Sequence, residues 1–378
     1  MTSDTERRTP PTLAGFSVAI TAARRAEEFD ALLTRRGARV VSAAAISMVP
    51  LADDRGLLEA TRSLIQAPPD LVIATTGIGF RGWIEAADEW GTAGDLLAAL
   101  GTARIISRGP KATGALRAAG LREEWSPASE SSAEVLAHLT EADLDGKRVA
   151  VQLHGATDSW DPNPGFLDGL TARGAQVVGV PVYRWEGPRD VAAFDALISD
   201  VVHVRVDAVA FTSAPAVASM LLRARDLGVR DRLVAAMCGP VTAYSVGPVT
   251  SAPLDAVGVP SVAPDRMRLG ALARLIAEDL PAGDPDIAVA GHRLGVHASA
   301  VVVDGEVRDV SATGLAVLKA LAAVPGDVVS RHDLLDVLPA AGDDAHAVEV
   351  TVGRLRTAIG AREIIGTVVK RGYRLAVD

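Results

Sequence analysis

The chain has 378 residues, enough for two or three domains on the usual size of one hydrophobic core. Its formal net charge of −9 argues against a protein that coats nucleic acid with its whole surface, but it allows one dedicated basic face. A single cysteine, Cys238, excludes an intrachain disulfide and favours a reducing cytoplasm. No apolar run approaches the roughly 18 residues that span a bilayer, so we expect a cytoplasmic protein without membrane contact. We expect residues 1–14 to be a disordered tail, since they lack the apolar core of a signal peptide.

Between Gly15 and Leu280, apolar runs rich in β-branched residues alternate with amphipathic segments. The first unit predicts a strand at Phe16–Thr21 and then a helix that Gly37 ends. Further strand–loop–helix units follow in the same order. Alternating βα units of this length are typical of an α/β fold, in which helices cover parallel sheets.

The chain repeats itself within this region. Ile73–Ala87 (IATTGIGFRGWIEAA) resembles Ala210–Ala224 (AFTSAPAVASMLLRA), and Ile106–Gly120 (ISRGPKATGALRAAG) resembles Ala236–Gly247 (AMCGPVTAYSVG). In both copies a predicted strand ends in Thr, Ser or Gly, and a Gly-Pro pair precedes a helix. We interpret this pattern as a duplicated α/β half.

The loops of these repeats have the composition of ligand-binding loops. Loops that follow parallel strands lie at the carboxyl edge of a sheet, where helix N-termini offer free N–H groups. Two such edges that face each other form a cleft that suits an anionic ligand. The alternative is that the Gly-Pro and Ser/Thr residues are only turn and helix-cap residues, and for any one of them alone this alternative is favoured.

Eight short motifs follow one another between Gly15 and Leu280. They are TAARR (Thr21–Arg25), MVPL (Met48–Leu51), TTGIG (Thr75–Gly79), SRGPKAT (Ser107–Thr113), GKRVAVQLHG (Gly146–Gly155), VPVYRW (Val180–Trp185), AFTSAPAV (Ala210–Val217) and CGPVTA (Cys238–Ala243). As an ordered set they resemble the uroporphyrinogen-III synthase family. The resemblance implies two α/β domains, one at 15–47 and 187–280 and the other at 48–186. Met48–Leu51 and Val180–Trp185 would then be the two strands that cross between the domains.

That family closes a linear hydroxymethylbilane with loss of water and inversion of one pyrrole ring. The ligand is a polyanion, so its site needs N–H donors and cations more than a nucleophile. The resemblance implies that Tyr183 assists the departing hydroxyl, and a tyrosine that only packs in the crossing strand is an equal alternative. It also implies ligand contacts by Thr21, Arg24, Ser107, Lys111, Thr212, Ser213 and Thr242.

The sequence departs from the family pattern at several positions. Gly77 and Gly79 stand where the family usually has serine and asparagine followed by alanine. The proline expected after the first threonine-arginine motif is missing from Thr21–Arg25. His154 and Asp158 lie in an unusual insertion, and His154 lacks partners at metal-ligand spacing, so we interpret it as a loop residue. We expect neither a metal nor a cofactor.

The pattern changes after Leu280. Residues 281–286 contain Pro-Ala-Gly-Asp-Pro, which indicates a linker. Short predicted strands follow from Ile287, two of them joined by an Asp304-Gly305 hairpin turn. Ser330 and the aspartate three residues later predict a capping box at a helix start.

Residues 345–375 predict a helix followed by a hairpin. An apolar stripe lies on one face of the helix and Arg354 on the opposite face, and the hairpin turns at a Lys-Arg-Gly sequence. Between Thr351 and Leu375 there are six cations and one anion, a concentrated basic patch in an acidic chain. This shape suits DNA, with the helix in the major groove and the hairpin over an adjacent phosphate or minor groove. The alternative is a solvated basic face on an ordinary α+β module.

Four segments carry a second resemblance: DGEVRDVSATGLAVLKAL, GDVVSRHDLLDVL, VEVTVGRLRTAI and GTVVKRGYRL. They resemble the winged helix-turn-helix effector domain of OmpR/PhoB-type response regulators, and the match covers Ile287–Val377. The resemblance implies a DNA-binding domain at 287–378 with Ala347–Ile359 as recognition helix and Thr367–Arg374 as wing. Gly314 replaces the family's usual glutamate, and the tip Val-Lys-Arg replaces its usual arginine-glycine.

The same resemblance implies which side chains contact double-stranded DNA. Arg354 would contact bases, and Arg356 would contact phosphate. The complete set of implied contacts is His346, Thr351, Arg354, Arg356, Thr357, Thr367, Lys370, Arg371, Tyr373 and Arg374.

Two functions fit these observations. The first is a one-component transcription regulator, in which a synthase-like module binds a tetrapyrrole or another small polycarboxylate and the winged helix binds an operator as a homo-oligomer. The second is an active uroporphyrinogen-III synthase that also carries a DNA-binding domain. Fold alone does not separate them.

Overall fold

The computed structural model describes residues 12–50, 55–128, 131–153, 165–284, 286–338 and 345–378. The predictions for His154, Asp158 and residues 1–11 lie outside these ranges. Contacts divide the chain into two units. Unit 1 is the chain up to Ala45 together with Pro188–Asp378, and unit 2 is Ile46–Gly187.

The strands of the described residues are short, mostly three to six residues. In chain order they are β1 (Ser17–Ile20), β2 (Arg39–Ser42), β3 (Ser47–Pro50), β4 (Leu71–Ala74), β5 (Arg104–Ser107), β6 (Arg148–Leu153), β7 (Gln176–Pro181), β8 (Tyr183–Glu186), β9 (Ala208–Phe211), β10 (Thr242–Ser245), β11 (Ser261–Val262), β12 (Ile287–Val289), β13 (His292–Val296), β14 (Val301–Val303), β15 (Glu306–Arg308), β16 (Val329–Ser330), β17 (Ile365–Val368) and β18 (Gly372–Leu375).

Helices occupy most of the chain between these strands. They are α1 (Ala26–Thr34), α2 (Arg55–Gln66), α3 (Gly77–Glu89), α4 (Ala93–Gly101), α5 (Pro110–Ala118), α6 (Ser132–His138), α7 (Glu141–Leu144), α8 (Phe166–Thr171), α9 (Val191–Val202), α10 (Ala214–Asp226), α11 (Arg230–Met237), α12 (Pro248–Asp255), α13 (Leu269–Gly283), α14 (Ala312–Ala322), α15 (Arg331–Asp336) and α16 (Ala345–Ile359), with a 3₁₀ turn at Arg362–Ile364.

Unit 1 contains a parallel sheet, the first sheet, with strand order β11-β10-β9-β1-β2. Every residue of β1 and β9 is buried, because helices cover both faces. One face packs against α1 and α13 through side chains such as Phe29, Leu33, Leu272 and Ile276. The sequence prediction of parallel sheets covered by helices is confirmed for this unit.

The helix α13 runs through the region that the sequence predicts to be a linker. It ends at Gly283, and Pro281 lies inside its last turn. A proline in the last turn removes only one helical hydrogen bond, and the buried stripe Leu272–Leu280 holds the helix on the sheet. The predicted break after Leu280 was therefore placed too early, because composition alone does not show where a packed helix ends.

Unit 2 contains a second parallel sheet, with strand order β5-β4-β6-β7. One face is covered by a core that includes Leu57, Phe80, Trp83 and Leu116, and the other by a core around Phe166. The predicted crossing segments contain β3 and β8, which pair antiparallel. The α/β prediction is confirmed for this unit as well.

The C-terminal part of unit 1 is an α+β winged helix. An antiparallel sheet, the platform sheet, has the order β12-β13-β14-β15, and a three-stranded sheet has the order β16-β18-β17. The predicted Asp304-Gly305 turn joins β14 to β15, and the predicted capping box between Ser330 and Asp333 begins α15. Helices α14 and α15 pack against α16 around Leu318, Leu334, Val348 and Val352.

Among the described residues, every helix is too short or too polar to cross a membrane.

Gly77 is required by close packing at the start of α3. A Cβ at this position would overlap the backbone carbonyl of Lys111 in α5, whereas a Cβ at Gly82 in the same helix would meet no atom within 4 Å. We expect Gly77→Ala to destabilise the protein by about 1–3 kcal/mol through overpacking. Gly82→Ala should stabilise it by about 0.5–1 kcal/mol through helix propensity. Denaturant unfolding of the two variants measures the difference, and equal shifts in the same direction would contradict this packing.

Candidate DNA-binding face and ligand-binding edges

The helix α16 buries one stripe and exposes the other. Val348, Val352, Leu355 and Ile359 are at most 2% exposed and form part of the winged-helix core. The opposite face is exposed and carries His346, Val350, Gly353, Arg354 and Thr357. The helical spacing predicted from the sequence therefore gives the correct buried face. The predicted contact Thr351 lies between the two faces and is half-buried.

Strands β17 and β18 form the predicted hairpin beside α16. Its tip consists of Val369, Lys370 and Arg371, which are all exposed. Lys370 has a φ of 62°, so the turn depends on a left-handed residue. Gly372 follows, and a Cβ there would overlap the carbonyl oxygen of Val329 in β16. The close strand pairing therefore fixes where the cationic tip projects.

Arg356, which the sequence predicts to contact phosphate, is half-buried and bonds to the wing. Its Nε donates to the carbonyl of Ile365 at 3.0 Å, and its Nη2 donates to Thr367 Oγ1 at 2.9 Å. These bonds attach α16 to the first strand of the wing. A phosphate contact by Arg356 stays a prediction, and in this structure its Nε and Nη2 bond to acceptors of the wing. The hydroxyl of Thr367 is used in the same contact.

Tyr373 is also an internal residue rather than an open DNA contact. It is only 4% exposed, and the guanidinium carbons of Arg331 and Arg356 lie 5.5 and 5.8 Å from its ring centroid. Cation–π contacts of this kind stabilise the packing of α15, α16 and the wing against one another. Arg331 was missed by the sequence analysis, since its role depends on a ring that is distant in the sequence.

Glu349 is a second residue that the sequence analysis missed. Its carboxylate lies 3.5 Å from Arg331 Nη2 and 3.8 Å from His346 Nδ1, and its side chain is 51% exposed. It stands three residues after His346, so helical spacing places it on the same side of α16. Glu349 precedes Thr351, where the basic patch of the sequence begins. Among the residues that the structure describes, the exposed face of α16 thus carries the acid Glu349 near its N-terminal end and the cation Arg354 further along.

Among the described residues, the exposed cations of this face are Arg354 on α16 and Lys370, Arg371 and Arg374 on the wing. Arginine on a helix that enters the major groove donates to base edges, while cations on a wing contact phosphate. The face thus has the composition and layout for binding duplex DNA.

The wing is attached to the platform sheet through His292. Its Nδ1 lies 2.7 Å from Asp304 Oδ2, and its Nε2 lies 3.2 Å from Glu363 Oε1 in the 3₁₀ turn before β17. The hydrogen bond to Asp304, and then that to Glu363, raise the pKa of His292 above its ordinary value. The protonated imidazole therefore links the base of the wing to the platform.

The carboxyl edge of the first sheet carries most of the predicted ligand residues of unit 1. Thr212 and Ser213 follow β9 and are half-buried, and Ser213 precedes α10 without making a capping bond with its side chain. Arg24 follows β1 and is exposed. Thr21 is fully buried, and its hydroxyl donates to Ala210 O at 3.4 Å between β1 and β9. Thr21 therefore joins two strands and does not present its hydroxyl to a ligand.

Thr242 lies at the other edge of this sheet. It is the first residue of β10, so the segment CGPVTA precedes the strand instead of following it. The prediction that Thr242 follows a strand was wrong. The sequence Gly-Pro-Val-Thr occurs twice, at 239–242 and 247–250, and the first copy was taken for the one after the strand. The second copy follows β10 and begins α12. Ser245 ends β10 beside it, is fully buried, and has no hydrogen-bond partner for its hydroxyl among the described residues.

Unit 2 has a comparable carboxyl edge. Thr76 precedes α3, and its hydroxyl accepts from Gly79 N at 3.3 Å and from Gln152 Nε2 at 2.8 Å. Lys111 is exposed in the first turn of α5, where its charge adds to the helix N-terminus. Ser107 is fully buried and bonds to Thr113 Oγ1 at 2.6 Å, so its hydroxyl is already used.

Position 79 must be glycine because the side chain of Gln152 packs against it. Gln152 was not among the residues selected from the sequence. A Cβ on Gly79 would overlap Gln152 Nε2 and Val182. The departure from the family pattern at Gly79 therefore accompanies a glutamine that bridges β6 to the start of α3.

Tyr183 is 7% exposed and belongs to the hydrophobic core of unit 2. Its ring packs edge-to-face on Trp185, with centroids 5.6 Å apart. This environment favours the packing alternative, and a catalytic role for Tyr183 stays a prediction.

These features define a two-part protein: an α/β part with polar strand ends and a winged-helix DNA-binding part. The family model for uroporphyrinogen-III synthase HemD matches residues 27–274, and the chain belongs to this family. The model for the C-terminal domain of transcriptional regulatory proteins matches residues 305–375, so the C-terminal part is an OmpR/PhoB-type DNA-binding domain.

Three similar proteins illustrate the likeness of the two parts. A mutant uroporphyrinogen III synthase from the extremely thermophilic bacterium Thermus thermophilus is 30% identical, covers 71% of this chain and 99% of its own, and superposes with a TM-score of 0.58. The uncharacterized protein YjjA of Bacillus subtilis is 29% identical over 261 residues, which are 69% of this chain and 94% of YjjA. The RstA DNA-binding domain of Klebsiella pneumoniae, solved with its RstA box, is 26% identical over 24% of this chain and 96% of that one, with a TM-score of 0.21.

We expect Arg354→Ala and Arg371→Ala to weaken DNA binding in different ways. If Arg354, which is exposed on α16, contacts bases as predicted, its loss should cost about 1–3 kcal/mol on the preferred sequence and little on others. Loss of Arg371 at the wing tip should weaken binding to all sequences and reduce the salt slope by about 1. Anisotropy titrations at several salt concentrations measure both, with Arg293→Ala, an exposed arginine of the platform sheet, as control. An unchanged salt slope for Arg371→Ala would contradict the wing assignment.

The stability of the DNA-binding domain should depend on pH through His292. The pKa of His292 is raised in the fold, so its contribution is complete below the unfolded value of about 6.5 and is lost as pH rises through the folded value. His292→Gln should remove this part of the pH dependence. Thermal unfolding of the unaltered protein and of His292→Gln between pH 5 and pH 9 tests this prediction. If the melting temperatures of both proteins depend on pH in the same way, His292 does not stabilise the domain as proposed.

Proposed function

We propose that this protein is a one-component transcription regulator. The winged helix binds duplex DNA, and the HemD-family part binds a tetrapyrrole or another small polycarboxylate that changes the affinity for DNA. The observation that carries the proposal is the exposed cationic face of α16 and the wing, in a chain whose net charge is negative. Such a face gives the sequence-independent part of DNA affinity.

The strand ends of both units support the ligand class. Each carboxyl edge contains helix N-termini. In unit 1 the hydroxyls of Thr212, Ser213 and Ser245 lie beside them, and in unit 2 Thr76 and Gln152 bond to each other and fix the start of α3. Backbone N–H groups and the helix dipole favour carboxylates. Lys111 and Arg24 add positive charge. Because the hydroxyls of Thr21 and Ser107 are engaged internally, we assign these two residues to the shape of the edges instead of to the ligand.

A single winged helix contacts only a short half-site. Operator affinity therefore requires two copies on repeated half-sites, so we propose that the protein binds its operator as a homo-oligomer. A footprint that is too short for two heads would exclude this arrangement.

The test combines DNA binding with catalysis. A duplex selected by the protein from a random library is titrated with and without uroporphyrin, and the expected shift in affinity is about 5- to 150-fold, the range of typical coupling. Turnover of hydroxymethylbilane is measured on the same preparation. If no tetrapyrrole or small polycarboxylate changes the affinity while the substrate is turned over at an enzyme-like rate, the protein is instead a synthase with a DNA-binding domain.

Lys111→Ala should abolish the effect of the ligand on DNA affinity and leave ligand-free DNA binding unchanged. The matched control is Lys147→Ala, because Lys147 precedes β6 at the amino edge of the same sheet, where it pairs with Asp70 at 3.1 Å. Removing either lysine changes the net charge equally, so the control separates the effect of position from that of net charge. If both variants respond to the ligand like the unaltered protein, the carboxyl edge of unit 2 is not the binding edge.

A further inference from the structure

A buried carboxylate joins the first sheet to the DNA-binding domain. Asp207, which precedes β9, is 8% exposed. Its Oδ2 accepts from the backbone N–H and the hydroxyl of Ser17 at the start of β1, both at 2.7 Å. Its Oδ1 accepts from the N–H of Ala298, in the turn between β13 and β14, at 2.6 Å. One side chain thus fixes two strands of the α/β part to the platform sheet.

Close packing surrounds this carboxylate, and we call the whole contact the joint. The rings of Phe16 and His297 lie 3.9 Å apart, and His297 Nδ1 lies 3.0 Å from Asp284 Oδ2 just after α13. A Cβ on Gly15 would overlap Val302 of the platform sheet and crowd His297. The two parts therefore meet without space for an additional methyl group at Gly15.

Further contacts connect the joint to the recognition helix α16. Lys319 Nζ on α14 donates to the carbonyl of Ala298 at 2.7 Å. Burial lowers the pKa of Lys319, and the charge of Asp207 opposes this shift. Helix α14 packs directly on α16, with Gly314 of α14 next to Leu355 of α16. Asp207 is therefore connected to α16 by three contacts: its bond to Ala298, the bond of Ala298 to Lys319, and the packing of α14 on α16.

The same two strands reach the ligand edge. Ser17 and Asp207 stand at the amino ends of β1 and β9, while Thr21 and Thr212 stand at their carboxyl ends. A strand of four residues is only about 13 Å long. Because buried strands are close-packed, a displacement at one end is transmitted to the other instead of being absorbed.

We propose that Asp207 is a positioning residue that couples the carboxyl edge of the first sheet to recognition helix α16 through the joint. The part of this inference that concerns ligand control rests on the proposed function. The mechanical part, which says that the platform sheet and the first sheet move together, is independent of the proposed function. A carboxylate that served only to hold the fold would lower stability but leave the response of DNA affinity to the ligand intact.

Gly15→Ala tests the joint without removing any polar group. Gly15 has a φ of +87° and would carry a Cβ into Val302 and His297, whereas Gly228 in the α/β part has a φ of +69° and open space around it. Gly228→Ala is therefore a matched control with comparable backbone strain and no wedge. In the full-length protein, Gly15→Ala should reduce the ligand-induced change in DNA affinity at least about fivefold and speed amide exchange at residues 297–303. Gly228→Ala should change neither.

A double-mutant cycle tests the polar part. Asp207→Asn leaves one acceptor oxygen for donors on two sides, and Lys319→Met removes the ammonium while it keeps the stem. If the joint acts as a unit, the combined effect on ligand-free DNA affinity should differ from the product of the single effects by more than about twofold. Effects that multiply within this limit would overturn the coupling. If Asp207→Asn does not fold, Gly15→Ala replaces it in a cycle with Lys319→Met, and the same limit decides the outcome.

The outcomes separate the two proposals. If the unaltered protein shows no response to uroporphyrin, the proposed ligand control fails, and amide exchange and the cycle still decide whether the joint is a unit. If the unaltered protein responds and Gly15→Ala responds equally, the joint is not the coupling element although the ligand control stands.

Discussion

The buried carboxylate of Asp207 is the interaction on which the arrangement of unit 1 depends. A charge removed from water is tolerated only when donors compensate it, and here Ser17 and Ala298 supply three. Hydrogen bonds to a charged group contribute about 1.5–3 kcal/mol each, and loss of the partners would leave the carboxylate buried and uncompensated. The first sheet and the platform sheet therefore form one unit, in which the amino edge is occupied by protein.

The DNA-binding face follows from how its other polar groups are used. Arg356 gives its donors to Ile365 and Thr367, and Tyr373 lies under two guanidinium groups. These internal contacts hold helix and wing at a fixed angle, as recognition of a duplex requires. What remains exposed is a smaller set of cations than the basic composition suggests, and Arg354 is the cation of this set that lies on the helix.

Much of this could be predicted from sequence, because local periodicity determines it. The buried stripe of α16 and the Asp304-Gly305 turn are set by residues a few positions apart. What could not be predicted has non-local causes. Arg354 and Arg356 look equivalent in sequence, and only the nearby wing shows that one is internal. The duplicated Gly-Pro-Val-Thr hid which copy follows a strand. The bond between Ser17 and Asp207 spans 190 residues, so no sequence pattern indicates it.

The placement of the joint also explains how a DNA-binding domain can be added to a HemD-family protein. In a parallel sheet the helix N-termini and strand-end loops that bind ligands lie at one edge. The joint occupies the opposite edge, at Ser17 and Asp207, so the added domain does not cover Thr212, Ser213 or Ser245. Attachment at the carboxyl edge would have blocked those residues. Attachment at the amino ends of β1 and β9 keeps the DNA-binding domain at the opposite end of these strands, one short strand away from the carboxyl edge.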